Sequence, residues 1–412
     1  MPPPRQQPHA LSQRIDCTKW TKLLSSQPRI STYLSTTNVQ LGATYSVSQK
    51  STALYTNGIK AAAEYINASP DDVVLGSSTT QLLRNLSIAL QPSLKPGDEI
   101  ILSQIDHEAN LAPWVQLAEW RGLVVKWWDP VSTAADSAEV RNPKLKPEVL
   151  KGMLTPRTRL VACTHASNVL GTINDVRAIA DTVHTIPGAL LCVDGVTLAP
   201  HRRIDMQALG VDFYAFSWYK VYGPHISILY ANPYTTSSAI TPLGHYFNPT
   251  VTLTDKLSLA GTNYELLASL PYVTRYCASL PWDAVENHEG RMQEVLLSYL
   301  RSKDEVVILG EQNGKAEVRI PIISFFILNG KGARKRSGDI VQMVEARSQF
   351  AIRAGHLYSK RMLDEIVKVV PGLELEAEGV DDGVVRVSLA HYNTIEEVTE
   401  FVKVLDEVLS VK

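Results

Sequence analysis

Apolar residues along this chain recur in two alternating patterns. Short and nearly uninterrupted apolar runs fall at 73–75, 99–102, 123–127, 160–163, 190–193, 213–216 and 226–230. Between most of them lie stretches with apolar positions three and four apart, at 80–90, 111–121 and 176–185. The first pattern suits strands buried on both faces, and the second suits amphipathic helices. Their alternation predicts an α/β fold with a mainly parallel sheet covered by helices. A helix over 46–67 precedes it and stops before Ala68-Ser69-Pro70.

From about residue 265 the rhythm changes. A long helix is expected at 282–302, strands at 305–309, 316–320, 322–327 and 384–389, and helices at 339–349, 358–365 and 394–409. The last opens on Asn393-Thr394 ahead of Glu396-Glu397, a good start signal. Three parts follow: an N-terminal arm at 1–30, a large α/β domain at 31–264 and a smaller α+β domain at 265–412.

Composition narrows the function by exclusion. The 412 residues carry 40 basic and 42 acidic side chains, a net charge of −2. Nucleic-acid binding needs clustered Lys and Arg, so that partner is not expected. The short basic patch of Lys331, Arg334, Lys335 and Arg336 reads as a solvated loop. No apolar run approaches the ~20 residues that span a bilayer, so no membrane partner is expected. Cys17, Cys163, Cys192 and Cys277 are scattered and form no CxxC pair. That usage suggests a reducing, cytoplasmic setting, and the start lacks the apolar core of a secretory signal. No metal is expected.

The residues just after each apolar run carry the chemistry, because open parallel sheets bind ligands beyond the carboxyl ends of their strands. Gly76-Ser77-Ser78-Thr79-Thr80 leads into a helix and could hold a phosphate, or could simply be an N-cap. Asp106-His107-Glu108, His165-Ala166-Ser167-Asn168, Asp194-Gly195 and Ser217-Trp218-Tyr219-Lys220 follow later runs. One cofactor uses such a set together. Pyridoxal 5'-phosphate needs a covalent lysine anchor, an acid for its pyridine nitrogen, a phosphate cup and a flat group on its ring. Lys220 after a buried strand would be partly desolvated, which favours its free base. Asp194 at a buried strand end calls for a cation opposite.

The stretches THASNVLGTINDVRAIAD, CVDGVTLAPHRRIDMQALGVDFYAFSWYKVYGP and VRVSLAHYNTIEEV resemble the class V aminotransferase group, and within it the cysteine desulfurase-like branch. The resemblance runs from about residue 45 to the end. It implies a fold-type I enzyme with pyridoxal phosphate, usually a homodimer with shared active sites. It also assigns roles. Lys220 matches the Schiff-base lysine, Asp194 the pyridinium partner, His107 the ring-stacking histidine and Asn168 the residue near the ring oxygen. Thr79, Thr80 and Ser217 match the phosphate site. Thr262, in AGTNYE, matches the segment that reaches a neighbouring subunit's phosphate cup. Arg386 matches the arginine that grips the substrate α-carboxylate, and Arg353 a second arginine near the substrate.

Departures from that pattern bear on the reaction. A desulfurase cysteine follows the R-x-G-H turn, and the matching position here is Tyr358. Thr197 stands where desulfurases have Gln, and Tyr219 where they have His. FSWYK, His245-Tyr246-Phe247 and AHYNT resemble a fungal secondary-metabolism subset that forms carbon–carbon bonds from amino-acid carbanions, by aldol-type or Mannich-type chemistry. Decarboxylative aldolases of the ustiloxin type depart from the R-A-G-H turn, whereas this chain keeps Arg353. That favours a reaction retaining the carboxylate, such as Mannich-type cyclisation in an alkaloid pathway. Tyr246 and Tyr358 are further expected pocket residues. A desulfurase-like β-lyase or an epimerase would share every cofactor residue.

Overall fold

The structure is a computed structural model and describes residues 27–247, 250–373 and 382–410. Most of the expected N-terminal arm therefore lies outside the described residues.

The expected alternation folds into one sheet of seven strands: β1 (Val73–Gly76), β2 (Glu99–Ser103), β3 (Val124–Trp128), β4 (Thr158–Thr164), β5 (Leu190–Asp194), β6 (Phe213–Ser217) and β7 (Ser227–Ala231). Their order is β1-β7-β6-β5-β4-β2-β3. The ladders from β3 through β2, β4 and β5 to β6 are parallel, and β7 runs antiparallel to both β6 and β1. Successive residues serve opposite faces, as a pleat requires. Val74, Ile100, Leu102, Ala162, Cys192 and Phe213 join one buried cluster. Val73, Ile101, Val161, Cys163, Leu191 and Tyr214 join another. Two covered faces explain why these strands read as unbroken apolar runs.

A second sheet has the order β10-β11-β9-β8, all antiparallel: β8 (Val306–Leu309), β9 (Ile322–Ile327), β10 (Arg353–Gly355) and β11 (Val384–Ser388). The helices Trp282–Arg301, Ser337–Arg347 and Ile395–Leu409 pack on it through Met292, Leu296, Ile340, Val344, Phe401 and Leu405. Thr394 caps the last helix in the expected box, its hydroxyl accepting from the Glu397 N–H.

Two expectations for this region are corrected. Residues 316–320 form a turn rather than a strand. The backbone there bonds to the 171–173 loop of the large sheet, with Ile173 N–H donating to Val318 and Ile320 N–H to Gly171. Pro321 then bars continuation. The helix expected at 358–365 is Lys360–Val369, because Leu357 and Tyr358 sit at φ +52° and +62°. Strand β10 carries no apolar run and was not foreseen.

Candidate active site

The carboxyl ends of β2, β4, β5 and β6 point to one edge of the large sheet, and the small sheet's β11 meets it there. Lys220 and Arg386, from the two sheets, line one cavity of about 310 Å³ together with Asn168, Thr197, Tyr219 and Val196. Lys220 ends a single helical turn (Trp218–Lys220) that follows β6, anchored by the fully buried Trp218 against Tyr65 and Phe216. Burial pulls its amine below the usual lysine range, Asp194 opposes that shift, and Arg386 adds to it. Lys220 is thereby biased toward the nucleophilic free base.

Asp194 is the last residue of β5 and is buried. Its Oδ1 accepts from the Val196 N–H at 2.8 Å. Burial raises its pKa, against the pull of that bond and of Lys220. A buried carboxylate kept partly unneutralised is suited to a cation placed opposite it. His107 caps the turn Glu108–Asn110 with its Nδ1, which accepts from the Ala109 N–H at 3.0 Å. The proton of the neutral ring therefore sits on Nε2. Burial first, then Lys220 and Arg386, hold His107 down to about 4, so it is neutral at physiological pH.

Phosphate-type donors stand at the start of the helix Thr79–Leu90, whose N-cap Ser78 accepts from the Gln81 N–H. Thr79 is buried, and its hydroxyl meets Ser217 Oγ at 2.7 Å, which meets Ser227 Oγ at 2.8 Å. Thr80 is exposed in the same turn. Thr262 lines a separate cavity of about 250 Å³ together with Gly76 and Ser77, the residues just ahead of that helix. Arg386 donates from one guanidinium nitrogen to the Asn168 carbonyl at 3.0 Å, while its buried Nε has no partner. An unpaired buried guanidinium N–H is costly and suits a carboxylate ligand.

Pyridoxal phosphate fits this set. Lys220 would anchor it, Asp194 would face its pyridine nitrogen, His107 would cover its ring, and Thr79, Thr80 and Ser217 would take its phosphate. Asn168 and Thr197 flank the same cavity. Tyr219 lies at its rim, 40% exposed and stacked on His225 at 5.0 Å.

The small-sheet side is built by the segment after β10. Tyr358 is 63% exposed, and its ring lies 5.0 Å from that of His107. Its turn is clamped. Asn168 donates to the Leu357 carbonyl at 2.8 Å and accepts from Ser359 Oγ at 2.9 Å. The Glu108 N–H donates to the Tyr358 carbonyl at 2.8 Å. Two consecutive left-handed non-glycine residues cost roughly 1–3 kcal/mol each, so these bonds hold a strained shape. Arg353 is exposed and directly opposite Arg386. Tyr246 is 99% exposed and is not brought to the cavity.

Several residues here were not assigned from sequence. Asp106 is buried beneath His107, accepting from Asn110 at 2.7 Å and from the Thr164 N–H at 2.9 Å. Burial pushes its pKa up to about 7. His165 is buried against the Tyr214 hydroxyl at 2.9 Å and is held down to about 3 by burial. Their positions after β2 and β4 were the available signal. Ser227, Ser359 and the cavity residues His201, Tyr222 and Tyr392 gave none, because only the fold brings them here.

Residues 27–401 match the family described as Aminotransferase class-V. The chain is 50% identical over 383 residues to the aminotransferase-like protein FGM3 of Gibberella zeae, covering 92% of this chain and 89% of that protein. It is 39% identical over 365 residues to the cysteine desulfurase-like protein ustD of Aspergillus flavus, covering 88% and 79%. An apo cysteine desulfurase from Thermococcus onnurineus superposes with a TM-score of 0.79 at 22% identity, covering 93% of this chain and 91% of that one. The chain thus has the fold-type I architecture and belongs to the class-V aminotransferase family, whose cofactor is pyridoxal 5'-phosphate.

Proposed function

We propose that this enzyme removes a proton from Cα of an amino acid and joins the resulting carbon nucleophile to a carbonyl or imine carbon. The reaction is of aldol or Mannich type and belongs to fungal secondary metabolism, in an alkaloid pathway. Bound pyridoxal phosphate supplies an electron-withdrawing ring that acidifies the bonds to Cα. Lys220, with its amine depressed by burial, takes the Cα proton and delivers it to the oxygen or nitrogen of the attacked carbonyl or imine as the new bond forms. Asp194 would supply negative charge toward the ring nitrogen, and neutral His107 would cover the ring without adding charge. Arg386 offers its unpaired Nε to the α-carboxylate. A homodimer in the cytoplasm, with Thr262 contributing across the interface, belongs to the same reading.

One observation carries it against sulfur transfer. The place of a desulfurase thiol holds Tyr358 on a clamped turn. Cys163 and Cys192 lie in buried strands with their thiol pKa values raised by burial, and burial pushes Cys277 up to about 12. A persulfide-forming reaction needs an accessible, mobile thiolate. Holoenzyme in deuterated water should label Cα of its amino-acid substrate, as mass spectrometry reads. Rapid sulfide release from cysteine would sink this proposal in favour of a desulfurase-like lyase.

A further inference from the structure

Arg353 on β10 and Arg386 on β11 are direct register partners. Directly opposed residues of an antiparallel pair leave the same face of the sheet, with Cβ atoms about 4.5–5.5 Å apart. Arg386 lines the cavity that holds Lys220, so Arg353 is carried on the same side. Like charges so placed repel. Burial chiefly, and Arg353 in addition, lower Arg386 to about 10. Neither guanidinium has a carboxylate in ion-pair range among the described residues. No described residue lining the cavity is acidic. Like charges directly opposite one another on a sheet are destabilising, and an anionic group bound above the pair would offset that repulsion. The turn after Arg353 is clamped to Asn168 and Glu108, so this edge is held in one shape.

We propose that Arg353 and Arg386 form a two-carboxylate site: Arg386 takes the amino acid's α-carboxylate, and Arg353 takes a second carboxylate belonging to the reactants. Resting on the function proposed above, this names the substrate class. The second carboxylate belongs either to the carbonyl partner, making it a 2-oxo acid, or to the side chain of the amino acid itself. Both sources present the same chemistry to Arg353, and Arg353 is exposed enough to admit either.

Paired probes on the holoenzyme separate the two sources. Pyruvate against methyl pyruvate, compared by calorimetric binding and by kcat/KM, reads a carboxylate on the carbonyl partner. Aspartate against asparagine, compared by binding and by Cα deuterium exchange, reads one on the amino acid. The charged member of one pair should bind and react at least ten-fold better. Arg353→Gln should bring that ratio close to one, and Arg353→Lys should keep most of it. Ratios near one in the parent enzyme, or a ratio unmoved by Arg353→Gln, overturn the proposal. The second result would leave Arg353 as an edge-strand charge only. The binding arm needs no turnover. A charge preference in binding without any Cα exchange would therefore strike the proposed reaction and not this site.

Discussion

The two sides of the candidate site are made in different ways. On the large-sheet wall Asp194, Ser217 and Lys220 sit at or just beyond the last residue of a buried strand, and their neighbours are almost all apolar. The shifted pKa values of Asp194 and Lys220 come first from burial. On the small-sheet wall, Arg353, Tyr358 and Ser359 lie on a short edge strand and a strained turn, held by individual hydrogen bonds to Asn168 and Glu108. The first wall is set by packing of the whole sheet, and so serves any reaction that starts at Cα. The second is set by a few local bonds, with Arg353 and Tyr358 exposed. Reaction and substrate choice are therefore most open to change there, at little cost to the fold.

The comparison can be broken at its strongest point first. Lys220→Ala should abolish the absorbance of lysine-bound cofactor and lower turnover about a thousand-fold or more, while leaving the fold intact. Retained turnover would remove Lys220 from the chemistry. A smaller effect tests how far burial governs the large-sheet wall. His165 is held at about 3 in the fold, against 6.5 for its ordinary value. Its folded pKa is depressed, so its contribution to stability is complete above about pH 6.5 and is lost as pH falls toward 3. By pH 4 that loss is about 3 kcal/mol at one pKa unit per 1.36 kcal/mol. Unfolding of His165→Asn by denaturant should therefore depend less on pH between 6.5 and 4. Parallel curves for variant and parent would refute the burial account. The smallest effect concerns the other wall. Ser359→Ala removes one bond from the Asn168 clamp and should cost about 1 kcal/mol. Amide exchange should quicken around the 357–359 turn while the cofactor absorbance stays. If exchange there does not change, the clamp is not what holds the strained turn.

Legibility followed the same division. All seven strands of the large sheet were foreseen from apolar runs, because strands covered on both faces have nearly every position apolar. Asp194 and Lys220 were found as the polar residues that end those runs. Thr79, Thr80, His107, Asn168 and Ser217 were noticed after other runs and took their roles from resemblance, which alone named Arg386. The 316–320 segment misled because its apolar content serves a turn bonded to another sheet, a partner that local pattern cannot name. Strand β10 was missed because an exposed edge strand of three residues has no periodicity to detect. Tyr246 was expected in the pocket from the resemblance carried by His245-Tyr246-Phe247, and in the single chain its side chain is exposed.

Sequence alone determined the fold class, the family and the cofactor, since burial of apolar runs and a few strand-end residues are encoded within short stretches. Tertiary structure alone decided which residues share a wall. Asn168 holds the 357–359 turn across 189 residues of chain, and Arg353 meets Arg386 across a sheet pairing. Such contacts depend on how two sheets are docked, and docking is settled by complementary packing over the whole interface rather than by any local motif.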